Sequence, residues 1–131
     1  MPRESDNLKL GDVTEKIIKA FYSVYNTLGY GFLEKVYVHA LVIELGKLGL
    51  HAELEKPMNV FYDGKIVGEY YADLVVNNSV IVEIKATKNL CIEHEAQLLN
   101  YLKAGKKEIG LLLNFGPKPE VKRRVFSSVQ N

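Results

Sequence analysis

Two carboxylates and one lysine lie on consecutive β-prone segments in the middle of the chain. Asp73 belongs to the run of residues 71–76, and Glu83 and Lys85 belong to residues 80–86. Side chains alternate between the two faces of a strand, so Glu83 and Lys85 must point the same way. Carboxylate oxygens are ligands that Mg²⁺ and Mn²⁺ prefer, and a neighbouring lysine can hold or deprotonate a water molecule or brace a phosphate. These residue types therefore suit metal-assisted hydrolysis, provided that Asp73 shares their face.

The length of the loop at residues 77–79 decides where Asp73 points. A two-residue turn would place Asp73 opposite Val82 and would scatter charged residues over both faces of the sheet. A three-residue loop places Asp73 opposite Glu83 and leaves one face uniformly apolar, with Ala72, Leu74, Val76, Val80, Val82 and Ile84. The other face then holds the charged residues among Tyr71, Val75 and Ile81. A buried apolar face fixes register strongly, so we predict the three-residue loop.

Two carboxylates in this register repel each other. Residues directly opposite on antiparallel strands have their Cα atoms about 5.5 Å apart or less, so a cation or a proton must lie between the two acidic groups. A divalent ion would meet that need. The alternative is that Lys85 neutralises one carboxylate in a structural ion pair, and a Glu-x-Lys strand taken alone favours this alternative.

Two helices are predicted before these strands. Apolar residues at helical spacing indicate a helix over residues 12–28, which Gly29 ends. The next helix, over residues 33–48, is apolar on nearly every side and is expected to be largely buried. Glu34 lies in its first turn, where the helix dipole stabilises a carboxylate whatever its function. Its helical neighbours Val38, Leu41 and Leu45 are apolar, so we also expect Glu34 to point to a covered face and to need a polar partner there.

The rest of the chain predicts further strands and one more helix. Residues 51–55 are predicted as an edge strand before Pro57. The runs 58–62 and 65–70 flank Asp63-Gly64, which is a strong signal for a two-residue hairpin turn. A third helix is predicted over residues 92–103 and a short strand over residues 109–114. This order predicts an α/β (α+β) domain with a mixed sheet and helices packed on it.

Gln97 and Tyr101 are four residues apart on the third predicted helix and so share one face of it. A glutamine–tyrosine pair on a half-buried helix is ordinarily a structural polar patch. The position of the pair downstream of Lys85 is what favours a functional interpretation. His94, one turn earlier, is expected to be a packing or surface residue rather than a base.

Size and composition indicate one globular domain. The chain has 131 residues, of which 47% are hydrophobic and 25% charged, values typical of a globular protein with one core. We expect a single domain over residues 1–131, with flexible tails at 1–10 and 125–131. The lone Cys91, the polar first ten residues and the absence of a long apolar run predict a cytoplasmic protein with no membrane partner.

The net charge of +1 excludes the marked basic excess of proteins that bind nucleic acid tightly through phosphates alone. Basic residues do cluster near the C-terminus, at Lys118, Lys122, Arg123 and Arg124. Such a cluster is more typical of a solvated terminal face than of a phosphate-binding surface.

Several blocks of the chain, in the same order, resemble the small bacterial and archaeal GxxExxR proteins of the PD-(D/E)XK nuclease superfamily. Asp73 followed by Glu83-Ile84-Lys85 is similar to the superfamily's motif. The matching blocks are residues 31–34 (GFLE), 72–74 (ADL), 82–85 (VEIK), 94–102 (HEAQLLNYL) and 113–116 (LNFG). The resemblance extends from the first helix to about Arg124. Two departures are visible, because Tyr37 stands where the family's arginine is expected and Ala72 where the superfamily often has proline.

The resemblance implies a restriction-endonuclease-like αβββαβ core, with a four-stranded mixed sheet flanked by helices. It also implies metal-dependent phosphodiester hydrolysis of nucleic acid, for which we expect DNA as substrate and Mg²⁺ or Mn²⁺ as cofactor. Asp73 and Glu83 would bind the ion, with Glu34 as a further, water-mediated ligand. Lys85 would position the attacking water, and Gln97 and Tyr101 would orient the lysine and the substrate phosphate.

Two further expectations accompany this interpretation. The near-neutral charge suggests that a homodimer or a partner helps to supply the binding surface. The rival hypotheses are a non-catalytic nucleic-acid-binding or protein-interaction domain that retains the nuclease fold, and a structural subunit of a larger assembly.

Overall fold

A computed structural model describes residues 9–127 of the chain. In this range the helices are α1 (Leu10–Leu28), α2 (Glu34–Lys47) and α3 (Ile92–Gly105). The strands are β1 (Ala52–Tyr62), β2 (Lys65–Val76), β3 (Val80–Lys85), β4 (Ile109–Phe115) and β5 (Pro119–Val125). The strands form one sheet in the order β1-β2-β3-β4-β5, in which β3 and β4 are parallel and the other neighbours antiparallel. The mixed α+β, restriction-endonuclease-like fold is therefore confirmed. Within residues 9–127, no helix is long and apolar enough to cross a membrane.

The sheet has five strands rather than the four that we predicted. β5 pairs antiparallel with β4, from Ile109↔Val125 to Phe115↔Pro119. Its sequence, PEVKRRV, lacks apolar alternation, and the strand forms a partly exposed edge of the sheet. Charged residues on such an edge discourage pairing with other chains. The predicted tails were too long, since Leu10 begins α1 and Val125 ends β5. Residues 1–8 and 128–131 of those tails lie outside the described residues.

The β1–β2 hairpin is longer than expected, because the predicted edge strand and first hairpin strand form one element. β1 runs through Pro57, which an edge strand tolerates. Asp63 and Gly64 make the turn with φ angles of 52° and 76°. By the register of β2 against β3, residues 65–70 and their partners on β1 extend past Lys85, the end of β3.

The predicted register between β2 and β3 is confirmed. The strands pair as Val76↔Val80, Val75↔Ile81 and Leu74↔Val82 around the three-residue loop. Five of the six residues assigned to the apolar face pack in one core, and the sixth, Ala72, packs in the other. Ala72 lies beyond Leu74, where the ladder with β3 ends, and it still pairs with Lys56 of β1.

A hydrophobic core lies on each face of the sheet. The larger one packs α1 and α2 against one face, and the smaller packs α3 against the other with Met58, Ala72, Val75, Ile81, Leu98, Tyr101, Leu102 and Leu112. The expectation that α2 is largely buried was wrong: its buried residues are Tyr37, Leu41 and Leu45, and Ile43 is 64% exposed. One face of α2 meets α1 and the sheet, and the opposite face meets solvent although it also carries apolar residues.

Candidate active site

Asp73 and Glu83 exchange hydrogen bonds across the gap between β2 and β3. The Oε2 atom of Glu83 accepts the Asp73 N–H at 2.7 Å, and the Oδ2 atom of Asp73 accepts the Ile84 N–H at 2.8 Å. These bonds occur where the backbone ladder stops, after Leu74↔Val82. Among the described residues, no side chain or backbone group donates to the second oxygen of either carboxylate. Each acidic group is thus fixed by the opposite strand through one oxygen.

The two carboxylates lie where negative charge is costly. Glu83 is 4% exposed, and burial together with the neighbouring Asp73 raises the pKa of its carboxyl group to about 8. Burial also raises the pKa of Asp73, against the opposing effects of the Ile84 N–H and of Lys85. Without a cation, the pair therefore favours a proton on Glu83 near neutral pH.

Lys85 lies on the same side as the two acidic residues. Burial raises the pKa of both carboxyl groups, and the nearby Lys85 charge opposes that rise. The Lys85 ammonium group lies 3.4 Å from Oε1 of Gln97 on α3. Within residues 9–127 it makes no ion pair within 4.0 Å of either carboxylate, which argues against the purely structural ion-pair alternative.

Glu34 reaches the same end of the sheet from α2. Its Oε2 atom accepts the Ala86 N–H at 3.3 Å, directly after Lys85. Burial is the main cause that raises the pKa values of Asp73 and Glu83, and the charge of Glu34 adds to it. The side chain is exposed rather than on a covered face, because Glu34 precedes Tyr37, the first buried residue of α2. The expected polar partner exists, and it is a backbone N–H.

Gln97 and Tyr101 complete the group from α3. Tyr101 is 8% exposed, and its pKa is raised by burial and then by the charges of Glu83 and Asp73. Gln97 is exposed and contacts Lys85 as described above. His94 has another role, since its Nδ1 atom accepts the Cys91 N–H at 3.2 Å in the N-terminal cap of α3. The fold thus brings together Glu34, Asp73, Glu83, Lys85, Gln97 and Tyr101.

The donor set fits a hard divalent cation held partly by the protein. Residues 9–127 contain no group of three or more His, Cys, Asp or Glu side chains arranged to hold a metal ion. Mg²⁺ is commonly bound through one or two carboxylates together with water and substrate phosphates, so Asp73 and Glu83 suffice for that mode. The second oxygen of each carboxylate accepts no hydrogen bond from the described residues, and a positive charge there would oppose the burial and the Asp73 repulsion that raise the pKa of Glu83.

Asn114 positions the chain after Lys85, and the sequence analysis missed this role. Its side chain is buried, accepts the Thr87 N–H at 3.0 Å and donates to the Thr87 carbonyl at 2.9 Å. It also donates to Oε1 of Glu120, which accepts the Leu90 N–H. A single polar residue at the end of the apolar run LLLNF was the available signal, because a buried amide needs partners.

Tyr37 positions the loop before Glu34. Its hydroxyl donates to the Gly29 carbonyl at 2.6 Å and accepts the Phe32 N–H at 3.1 Å. Its ring stacks on Phe115 with centroids 4.2 Å apart. The residue at the place of the expected arginine is therefore a buried structural tyrosine, fully enclosed by the core.

The five-stranded mixed sheet and its flanking helices, with Asp73 on β2 and Glu83 on β3, are those of the restriction-endonuclease-like class. A family model described as the PD-(D/E)XK nuclease superfamily matches residues 11–124, and the chain belongs to this superfamily. Nucleases of this superfamily generally use divalent metal ions. The narrower GxxExxR resemblance stays a prediction.

A solved structure described as "Crystal structure of SSO0001" has a similar fold. The TM-score is 0.56 at 22% sequence identity, and the similarity covers 88% of this chain. The chain spans 58% of the length of that structure. A comparison with curated proteins gives no match.

Proposed function

We propose that this protein hydrolyses phosphodiester bonds in nucleic acid with the help of a divalent metal ion. The observation that carries the proposal is the reciprocal hydrogen bonding of Asp73 and Glu83 to each other's strands, beside a lysine that neutralises neither in an ion pair. A merely structural cluster of this kind would gain by pairing the lysine with a buried carboxylate.

Each site residue has a distinct role in this proposal. Asp73 and Glu83 would hold Mg²⁺ or Mn²⁺, and Glu34 would assist through water. When bound, the ion would polarise the phosphate and make a water molecule more acidic. Lys85 orients the attacking water, Gln97 holds the lysine ammonium in place, and Tyr101 contacts the substrate phosphate.

The substrate, the assembly and the compartment are part of the same proposal. DNA is the proposed substrate, acted on in the cytoplasm. The net charge of +1 supplies little nonspecific attraction, so we propose that a second copy of the chain contributes to the binding surface.

A cleavage assay tests the proposal directly. The purified protein is incubated with labelled single-stranded, duplex and branched DNA and with RNA, in Mg²⁺, Mn²⁺ or EDTA. We expect metal-dependent cleavage that Asp73→Asn, Glu83→Gln and Lys85→Ala each reduce by a factor on the order of 10² or more. The two amide variants keep the hydrogen-bond acceptors that join β2 and β3, so their loss should be chemical rather than structural.

Matched controls are available at the far end of α2. Glu44 and Lys47 pair with each other at 3.0 Å, so Glu44→Gln and Lys47→Ala should cleave like wild type. Cleavage that persists in the Asp73 and Lys85 variants would place the activity elsewhere. Metal-independent binding with no cleavage would favour the non-catalytic domain, and co-purifying protein with no metal binding would favour the structural subunit. Calorimetric titration of Mn²⁺ into wild type and Glu83→Gln tests the metal assignment separately.

A further inference from the structure

An open cavity of about 800 Å³ lies between the β1–β2 hairpin and α3. Asn59, Phe61 and Tyr70 line it from the hairpin, and Gln97, Asn100 and Tyr101 line it from the helix. Gln97 and Tyr101 also belong to the candidate active site, where Gln97 contacts Lys85 at 3.4 Å. Whatever occupies the cavity therefore lies directly beside the proposed reacting centre.

The hairpin wall of this cavity is held in place against α3. Met58 of β1 is buried on Gly105, the last residue of α3, and a Cβ atom on that glycine would overlap the methionine sulfur. The rings of Tyr70 and Tyr101 lie 5.6 Å apart at an interplanar angle of 43°. These two contacts join the β1–β2 hairpin to α3, so both walls of the cavity are held in place by packing.

The wall combines three kinds of chemistry that suit a nucleotide. Tyr70 and Phe61 are 48% and 62% exposed, so their rings are available for stacking on a base. The amides of Asn59 and Asn100 can donate to and accept from the edge of a base. Lysines 103 and 106 also line the cavity, together with the acidic Glu93, and can meet phosphates.

The size of the cavity also favours a nucleotide. Its volume falls within the range of roughly 300–1,000 Å³ that is typical of sites for small organic ligands. A base within a continuous duplex is stacked on its neighbours and paired, so it cannot present a free face to these rings without being extruded. An unpaired base can do so at little cost.

We propose that this cavity holds an unpaired nucleotide next to the phosphodiester that is cleaved. The enzyme therefore acts on single strands or on unpaired ends in preference to continuous duplex. This inference rests on the proposed function and specifies its substrate. Tyr70 and Phe61 stack on the base, and Gln97 and Tyr101 join the base site to the phosphate site at Lys85.

Binding in EDTA tests the inference without cleavage. The probes are a single-stranded oligonucleotide, a blunt duplex of the same sequence and a duplex with an unpaired tail, each with 2-aminopurine as fluorescent base. We expect the single-stranded and tailed probes to bind more tightly than the blunt duplex, with quenching of the unpaired base. Tyr70→Ala and Phe61→Ala should each weaken this binding by about 5- to 150-fold, the effect of losing one base–ring stack.

Two variants separate stacking from a structural effect. Tyr70→Phe keeps the ring and should retain binding, and Tyr22→Ala removes an exposed ring from α1, far from the cavity. Phe61→Ala tests stacking at a second ring of the cavity wall. Because Phe61 belongs to neither hydrophobic core, this substitution should leave the fold intact. The inference is overturned if the blunt duplex binds as tightly as the single strand, or if both alanine variants bind like wild type.

The outcome can be distinguished from a failure of the proposed function. If wild type cleaves blunt duplex as readily as single strands, and Tyr70→Ala cleaves single strands like wild type, the unpaired-nucleotide site is wrong while the nuclease assignment stands. If no nucleic acid is cleaved and Mn²⁺ does not bind, the nuclease assignment itself fails, whatever the binding assay in EDTA shows.

Discussion

At the scale of single residues, the two buried carboxylates give the metal-free protein an unusual dependence on pH. The pKa of Glu83 rises from an ordinary 4.5 to about 8 through burial and the charge of Asp73. The folded chain therefore binds a proton that the unfolded chain has already lost between these two pH values. Asp73 shifts in the same direction, so its contribution has the same sign.

We accordingly expect the free energy of unfolding in EDTA to fall as pH rises from about 4.5 to about 8 and to level off above. Urea unfolding at several pH values measures this slope. Glu83→Gln removes the titrating group and should flatten the profile, with a higher stability than wild type at pH 8. A wild-type stability that rises steadily over the same interval would contradict the burial of an uncompensated acid.

The same protonation should couple to metal binding. An ion bound at Asp73 and Glu83 must displace the proton, so the affinity for Mn²⁺ should increase as pH rises toward about 8. Calorimetry at pH 6.5 and 8.5, in two buffers of different ionisation enthalpy, measures the protons released. Binding with no proton release would mean that the ion binds elsewhere.

At the scale of secondary-structure elements, the segment between β3 and α3 depends on the side chain of Asn114. Asn114→Ala leaves the Thr87 N–H and carbonyl without their partner, which should lower the free energy of unfolding by about 1–3 kcal/mol. Because Thr87 closely follows Lys85, we also expect cleavage to fall more than the lost stability explains. Chemical denaturation and single-turnover cleavage measure the two effects. Asn26→Ala, on the exposed side of α1, is the control and should change neither.

The loop before α2 depends in the same way on the hydroxyl of Tyr37. Tyr37→Phe keeps the stacking on Phe115 but loses the bonds to Gly29 and Phe32, so the stability should fall by about 1–2 kcal/mol. Tyr22→Phe is the matched control. An unchanged melting temperature in Tyr37→Phe would show that the ring alone holds the loop.

The elements also show what the sequence could and could not predict. The register of β2 against β3 followed from the alternation of apolar residues, because a one-residue slip would bury charged side chains. The burial of α2 did not follow from its composition, because the number of elements that cover a helix is a property of the whole fold. β5 was missed because it is held by backbone pairing with β4 and by contacts such as Arg124 with Glu95, which leave no local pattern.

The residues of the candidate site also differ in whether the sequence alone could identify them. The side chains that could do chemistry were recognisable by type, by register and by resemblance, and the structure brings them together. The residues that position them were not, since the roles of Asn114 and Tyr37 depend on hydrogen bonds to residues 5 to 27 positions away in sequence. Such contacts exist only once the elements have packed.

At the scale of the whole molecule, a net charge of +1 supplies little general attraction for nucleic acid, so the number of phosphates contacted sets how strongly salt affects binding. For single strands the logarithm of affinity falls with the logarithm of salt by about 0.7 for each phosphate contacted. If Lys103 and Lys106 are the main phosphate contacts, the slope should be shallow, and Lys103→Gln with Lys106→Gln should reduce it by about 1.4.

Anisotropy titrations across a range of salt concentrations provide this slope. Lys122→Gln with Arg123→Gln, on the exposed edge strand β5, is the charge-matched control and should leave it unchanged. A steep slope that falls with the β5 pair would instead assign the phosphate contacts to that edge.

The reciprocal bonds of Asp73 and Glu83 have a consequence for how this protein could lose its chemistry. Since each carboxylate also supplies an acceptor that the backbone of the opposite strand requires, truncating either one would remove a hydrogen bond between β2 and β3 as well as a charge. An exchange of acid for amide spares the architecture and removes only the charge. Asp73→Asn and Glu83→Gln are therefore the smallest changes by which a chain of this fold could keep its architecture and lose the proposed chemistry.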